Sequence, residues 1–263
     1  MRLFARASGE DGGNGSGGAG DGGGPLLVLL HGLGATSLVW LPLIRLLQRD
    51  WQGPWLAPDL PGHGRSDRLG SYSNAAMAAA LAPFIAQRAA GAPVVLLGHS
   101  LGGTLALHLA SGRHDLRPVS VHAIGVKVQW SDAERDRFAA LSKRTVRHHP
   151  TEAEARQAYR RQAGLGHDVS PEIVADGIMR EEPGWRTSLD PRCYGVEPPA
   201  MSVLMAQAVC PIRLACGDAD PMVTAGDLHA FDPAAQTIAN AGHNAILDQP
   251  GSVWRWVRGV SPA

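Results

Sequence analysis

Two glycines bracket a serine at equal spacing in Gly98-His99-Ser100-Leu101-Gly102. This G-x-S-x-G spacing belongs to a sharp strand-to-helix turn that lifts a serine hydroxyl clear of the chain. A Cβ two positions before or after the serine would collide with neighbouring backbone, so the glycines answer a steric need. The helix opening at the serine turns its positive end toward negative charge developing there. A serine hydroxyl is a weak nucleophile until a base takes its proton, and 11 histidines compete for that task. His243, in Ala241-Gly242-His243-Asn244, is the last of them and precedes the closing helix. It suits the chain order serine, acid, histidine. His99 sits inside the turn with its side chain directed away from its neighbour's and reads as structural. His148, His149 and His167 lie in charged helical text and read as solvated.

An imidazole base needs a carboxylate to set its tautomer and stabilise its charged form. Cys216-Gly217-Asp218-Ala219-Asp220-Pro221 offers two. Asp220 is favoured, because a carboxylate at the C-terminal end of a strand projects over the sheet edge toward the histidine loop. Asp218 suits the turn itself, and Asp248, placed after His243, is the outsider.

The surrounding text supplies elements to position these groups. Pro25 to Leu30 and Pro93 to Leu97 are unbroken apolar runs, as strands buried on both faces require. Trp55 to Ala57, Val119 to Val126, Pro211 to Cys216 and Gln236 to Ala239 are further strand candidates. Helical text fills Ser37 to Asp50, the alanine-rich stretch after Ser73 (a capping residue), the run to Ala110 and Ser252 to Val257. Strands alternating with helices predict a mostly parallel central sheet with helices on both faces. Between Ser131 and Ala200 charged helical text, with Asp132 to Arg147, Thr151 to Ala163 and Pro171 to Arg180, replaces the strands. We therefore expect a core from residues 1–124 and 206–263, with 125–205 inserted as a helical cap. Residues 8–24 carry ten glycines in seventeen positions and predict a flexible loop.

The bulk properties narrow the field. The 263 residues carry 24 basic and 24 acidic side chains, so no basic surplus points to nucleic acid or an acidic membrane. Apolar runs are too short to span a bilayer. No apolar leader follows Met1, and three cysteines are too few for a disulfide scaffold. A cytoplasmic location and a small-molecule partner are the default expectations.

Taken in order, four motifs give the chain a family likeness: His31-Gly32-Leu33-Gly34, Asp59-Leu60-Pro61-Gly62-His63-Gly64-Arg65-Ser66, Gly98-His99-Ser100-Leu101-Gly102-Gly103, and Gly217/Asp220 with Gly242-His243. The chain resembles the α/β-hydrolase superfamily over about residues 25 to 258. The resemblance implies a triad of Ser100, Asp220 and His243. It also implies an oxyanion hole from the backbone N–H groups of Leu33 and Leu101, buttressed by the Asp59 to Ser66 loop. Relatives that form an alkyl ester carry Asp at the elbow; serine implies acyl transfer, with no metal and no cofactor. A carboxylesterase-like reaction is the first expectation. Hydrolysis of a carbon–carbon bond in a diketone or ring-cleavage product is the alternative, and a catalytically idle ligand-binding member of the fold is another. Trp130, Trp185 and Met201 are the candidates for contacting substrate from the cap. Phe138 and Met205 share their apolar character, and all could equally form the cap's own core.

Overall fold

Of the two apolar runs predicted to be buried on both faces, residues 26–30 are so and residues 94–97 are so except at Val95 in the structure, a computed structural model that describes residues 1–9 and 24–259. The strands in chain order are β1 (Ala5–Ala7), β2 (Leu26–Leu30), β3 (Trp55–Pro58), β4 (Val94–His99), β5 (Pro118–Ile124), β6 (Ile178–Glu181), β7 (Gly184–Thr187), β8 (Ile212–Gly217) and β9 (Gln236–Ile238). Seven of them form one sheet in the order β1-β3-β2-β4-β5-β8-β9. All its pairings are parallel except that of β1 with β3. The fold is therefore the α/β-hydrolase type expected from the motifs. Most of the glycine-rich stretch, residues 10–23, lies outside the described residues.

Side chains alternate across a strand, so each buried strand feeds two cores. Leu26, Val28 and Leu30 of β2 pack into one apolar cluster, and Leu27 and Leu29 into the other. The first cluster is closed by helices α2 (Asn74–Ala89) and α3 (Leu101–Leu109). The second is closed by α1 (Leu41–Asp50) and by the closing helix, which runs over Pro250–Val257. Local signals explain where these helices begin. Ser73 Oγ accepts the Ala76 N–H at the start of α2, and Pro250 occupies the first turn of the closing helix.

The order of strands locates the site. From β2 the chain moves outward to β3; from β4 it moves the opposite way to β5 and β8. Loops leaving the C-terminal ends of β2 and β4 therefore part, and a crevice opens between them. His31-Gly32-Leu33-Gly34 leaves β2 there, and Ser100 leaves β4.

Between β5 and β8 the structure corrects the all-helical expectation for residues 125–205. Helices α4 (Asp132–Ser142) and α5 (Glu152–Gln162) form as read. The third predicted helix stops early: α6 (Pro171–Val174) passes through a short 3₁₀ turn, and the chain enters β6, which pairs antiparallel with β7. Strands of four residues with Arg180, Glu181 and Arg186 among them carry too little apolar alternation to be recognised. The reason for the charge is tertiary, since Arg186 is buried and pairs with Glu181 across the hairpin. Helix α7 (Met201–Gln207) then leads back to the sheet, followed by α8 (Ala225–His229), α9 (Ala245–Asp248) and the closing helix, α10.

The exit of this insertion is tied to the core by buried polar contacts. The Asp190 carboxylate accepts from Tyr72 Oη at 3.0 Å and from Arg192, while the Asp190 N–H donates to Gly62 O at 2.8 Å. Asn74 Nδ2 donates to Glu197 O at 2.8 Å. Cys193, Cys210 and Cys216 are all free thiols.

The glycines of the elbow generate a stability prediction. A Cβ at Gly102 would lie 2.0 Å from Leu30 O, and one at Gly98 would lie 2.2 Å from Gly102 O. Backbone cannot move aside as a side-chain tip can. Gly102→Ala should therefore cost about 3 kcal/mol or more. Gly70→Ala, where nothing lies within 4 Å of the added methyl, should be nearly neutral. Urea midpoints of the two variants provide the check, and equal midpoints would refute the packing described.

Candidate active site

Ser100 stands between the end of β4 and the first turn of α3 with φ 52° and ψ −117°. A side chain seldom occupies this region, and holding one there costs on the order of 1–3 kcal/mol. The strain is held by the flanking backbone: Ser100 N–H donates to Ile124 O, and Ser100 O accepts from Gly103 N–H and Thr104 N–H. The Leu101 N–H is the first amide of α3, one of the donors that a helix N-terminus leaves without an intrahelical partner.

The turn after β2 faces it. A Cβ on Gly32 would lie 3.3 Å from Ser100 Cβ and 2.9 Å from His99 Nδ1, so the loop backbone passes directly against the elbow. Ala35 N–H donates to Gly32 O at 3.2 Å, and Gly34 has φ +80°. These are marks of a type II turn, whose third residue needs a positive φ. The carbonyl of Gly32 shares one peptide plane with the N–H of Leu33. Fixing the first therefore fixes the direction of the second. His31 does this: its Nε2 accepts the Leu60 N–H at 2.9 Å, which leaves the proton on Nδ1 to donate to Gly32 O at 2.9 Å.

The Asp59 to Ser66 loop completes the support. Asp59 is fully buried and accepts from the N–H groups of Ser37 and Arg65 at 2.7 and 2.9 Å. Burial raises its pKa, opposed by those two amides.

Asp220 and His243 are brought together across the neighbouring loops. His243 Nδ1 lies 3.1 and 3.0 Å from the two carboxylate oxygens of Asp220. The Asp220 side chain is wholly shielded from solvent while that of His243 is partly open, so the pair has an inward acid and an outward imidazole. Met222 N–H donates to Asp220 Oδ1 and sets the carboxylate. Asp218 is differently engaged, accepting from the N–H groups of Asn240 and Ala241 at 2.9 Å each. Asp248 accepts from Gly242 N–H at 2.8 Å. Both carboxylates hold the backbone of the histidine loop and neither reaches the His243 ring.

His99 contributes from beneath. Its Nε2 lies 2.8 Å from His243 O, and the two rings stand 4.8 Å apart. Sequence reasoning marked His99 as structural without finding this link, which runs between residues 144 positions apart. A Cβ on Gly125 would lie 3.3 Å from His243 Cε1, and Ser100 N–H is bonded to the residue before Gly125. Ser100 and His243 thus border the same short stretch of chain. Among the described residues their side chains share no hydrogen bond.

The three candidates from the insertion do not converge. Met201 is buried in the cluster that also holds Leu101, with Leu33 packed against it. Trp130 packs edge-on against Phe138 at 5.0 Å and donates its Nε1–H to Lys127 O. Trp185 lies on β7 against the opposite cluster. No group of three or more His, Cys, Asp or Glu side chains among the described residues is arranged to hold a metal ion. No described helix is long and apolar enough to cross a membrane.

A strained serine on a strand-to-helix turn, facing a glycine turn and a His-Asp pair, is the arrangement of the alpha/beta hydrolase family. The chain belongs to that family, whose sequence pattern it matches over residues 27–256. Lipase LipV of Mycobacterium tuberculosis is 33% identical over 184 residues, which cover 66% of this chain and 67% of the relative. The 2-succinyl-6-hydroxy-2,4-cyclohexadiene-1-carboxylate synthase of Yersinia enterocolitica is 28% identical over 235 residues, or 87% of this chain and 84% of the relative. A solved esterase of Mycobacterium tuberculosis is 25% identical and superposes with a TM-score of 0.72, over 98% of this chain and 91% of that one.

Two predictions follow from this geometry. Asp220→Asn should leave the fold intact and lower kcat on an ester by about 10⁴, because the amide favours the wrong imidazole tautomer. Asp218→Asn should be mild in kcat, and the reverse ranking would exchange the two assignments.

The second concerns pH. Burial lowers His31 from 6.5 to about 4, and His63 and His99 to about 3. An unfolded chain protonates these groups near 6.5, so between that pH and about 4 it binds more protons than the folded chain. Stability is then full above pH 6.5 and declines below it, by up to about 1.4 kcal/mol per pH unit for each histidine. Urea midpoints should drop between pH 7 and 4.5; a flat profile would show that these rings are not held neutral.

Proposed function

We propose that the protein is a serine hydrolase that cleaves a small, apolar acyl ester or a related carbonyl compound. The observation that carries this reading is the Asp220-His243 pair set beside a serine at positive φ. Asp220 engages Nδ1 of His243, which leaves Nε2 to take the Ser100 proton. Ser100 Oγ then attacks the substrate carbonyl carbon, and the carbonyl oxygen gains the charge. The N–H groups of Leu33 and Leu101 receive that oxyanion, a single such donor being worth about 2.7–4 kcal/mol. His243 returns the proton to the leaving group as the tetrahedral species collapses to an acyl-enzyme. Water, deprotonated by His243, attacks the acyl carbon, and Ser100 leaves with its proton restored.

The insertion of residues 125–205 is assigned the lid over this crevice, and so the choice of acyl group. Helix α4 supports that role, since none of its residues is buried. It is held by the edge-on packing of Phe138 with Trp130 and Tyr194 and by the Lys127–Glu134 ion pair. Trp130 is the assigned substrate contact, and Met201, buried in the cluster that holds Leu101, is assigned to backing the crevice wall. Trp185, packed on the other side, is assigned to the insertion's own core.

A fluorophosphonate probe tests the chemistry. It should modify Ser100 stoichiometrically, and Ser100→Ala should abolish labelling and lower kcat by several orders of magnitude with the fold retained. A panel of aryl esters, acyl-thioesters, lactones and vinylogous diketones then separates ester from carbon–carbon hydrolysis. Fastest turnover of the diketones would replace the esterase reading. A parent chain inert to both probe and panel would make it a ligand-binding member of the family.

A further inference from the structure

One face of the insertion does more than cover the crevice. Helix α5 lies directly on the turn that carries Leu33. A Cβ on Gly34 would sit 3.1 Å from Gln162 Cγ and 3.2 Å from Gln162 O, so the helix end touches the turn backbone. Gln162 Nε2 donates to Gly34 O at 3.2 Å, and its Oε1 accepts from Thr187 Oγ1 on β7 at 3.0 Å. The amide thus has both ends engaged, one anchored in the hairpin and one directed at the turn. One helical turn earlier, Tyr159 is fully buried and its hydroxyl lies 3.4 Å from Thr36 Oγ1. Residues three apart share a helix face, so Tyr159 and Gln162 grip Thr36 and Gly34 together.

The same helix end is held to the histidine loop. The last carbonyls of a helix have no partner within it. Those just beyond α5 are met by Asn244, whose Nδ2 donates to Gly164 O at 2.7 Å and to Ala163 O at 3.3 Å. Asn244 directly follows His243. The C-terminus of α5 therefore joins the turn bearing one oxyanion donor to the loop bearing the base, through side chains in contact with both.

From below, His31 and Asp59 secure Gly32 and Ser37. Ala35 is packed in the second apolar cluster, and the turn's backbone bonds run from Ala35 N–H to Gly32 O and from Val39 N–H to Thr36 O, so among the described residues Gly34 O has no partner other than Gln162. We propose that Gln162 is a positioning residue for the oxyanion turn: anchored by Thr187, it holds Gly34 O and so the aim of the Leu33 N–H. The insertion is then part of the catalytic scaffold as well as a cover. This rests on the functional reading above, because the turn matters to rate only if Leu33 receives an oxyanion.

Gln162→Met keeps the length and apolar stem of the side chain and removes its amide. Thr187→Val removes only the anchor. Both are to be assayed in the full chain with p-nitrophenyl butyrate, with butylboronic acid as a tetrahedral mimic, and by hydrogen exchange. A donor misdirected by a fraction of an ångström loses part of the effect of a deleted one. Gln162→Met should therefore lower kcat about tenfold with KM within twofold, and weaken the boronic acid by a similar factor. Thr187→Val should act in the same direction, and the double variant should be no worse than Gln162→Met alone, since both break one chain of contacts. The Ala35 and Ser37 amides, bonded to Gly32 O and Asp59, should exchange faster, while those of α3 should not change.

A rise in KM with kcat unchanged would overturn the proposal, as would faster exchange throughout the molecule or kcat and exchange both matching the parent. If the parent is inert to the fluorophosphonate, the functional reading fails separately. The exchange of Ala35 and Ser37 still decides whether Gln162 holds the turn.

Discussion

The structure depends on one tight crossing of backbone, where β4 turns through Ser100 into α3. Glycine is required at 98 and 102 because the carbonyls of Gly102 and Leu30 stand where a Cβ would go. This close approach places α3 against the ends of β2 and β4, with Ser100 at positive φ and the helix N-terminus at the crevice. The conformation is costly for a serine. Its persistence depends on the surrounding sheet, whose strand β2 is wholly buried between two apolar clusters. A firm core is thus a condition of the site as well as of stability.

Around that crossing, polar side chains act mostly on backbone. His31 orients a peptide plane, His99 meets the carbonyl of His243, Asp59 and Asp218 each gather two backbone N–H groups, and Asp248 takes one. These bonds fix irregular segments that have no ladder partner of their own. Burial keeps His31 and His99 neutral, so each can offer a proton on one nitrogen without bringing charge beside the reacting centre. Asp220 stands apart from this pattern: it accepts one backbone N–H but also reaches a side chain, that of His243.

The insertion shows how a segment with weak local signals is held in place. Helix α4 has no buried residue, whereas α5 buries Ala155 and Tyr159 and the hairpin buries Arg186 against Glu181. Its two parts therefore differ in attachment. The part on the turn after β2 is bound by buried contacts, and the part following Lys127 rests on half-buried aromatic and ionic ones. A region held by few buried contacts opens at lower free energy than one held by many.

Much of this was legible in the residues. Unbroken apolar runs announced strands buried on both faces, and the spacing around Ser100 announced the elbow, because sterics at a turn are local and leave a fixed residue signature. Asp220 and His243 could be singled out because each follows a recognisable strand, and the structure pairs their side chains. The β6–β7 hairpin was not, since its charged residues look like helix surface until Arg186 meets Glu181 across the strands. Nor were the contacts of His99 with His243, Gln162 with Gly34, and Asn244 with Gly164, which join positions 80 to 144 residues apart. Sequence alone determined which groups could do chemistry and the strands that carry them. Only the tertiary structure decided what holds those groups in aim, because hydrogen bonds between distant loops impose no periodicity and no spacing on the chain.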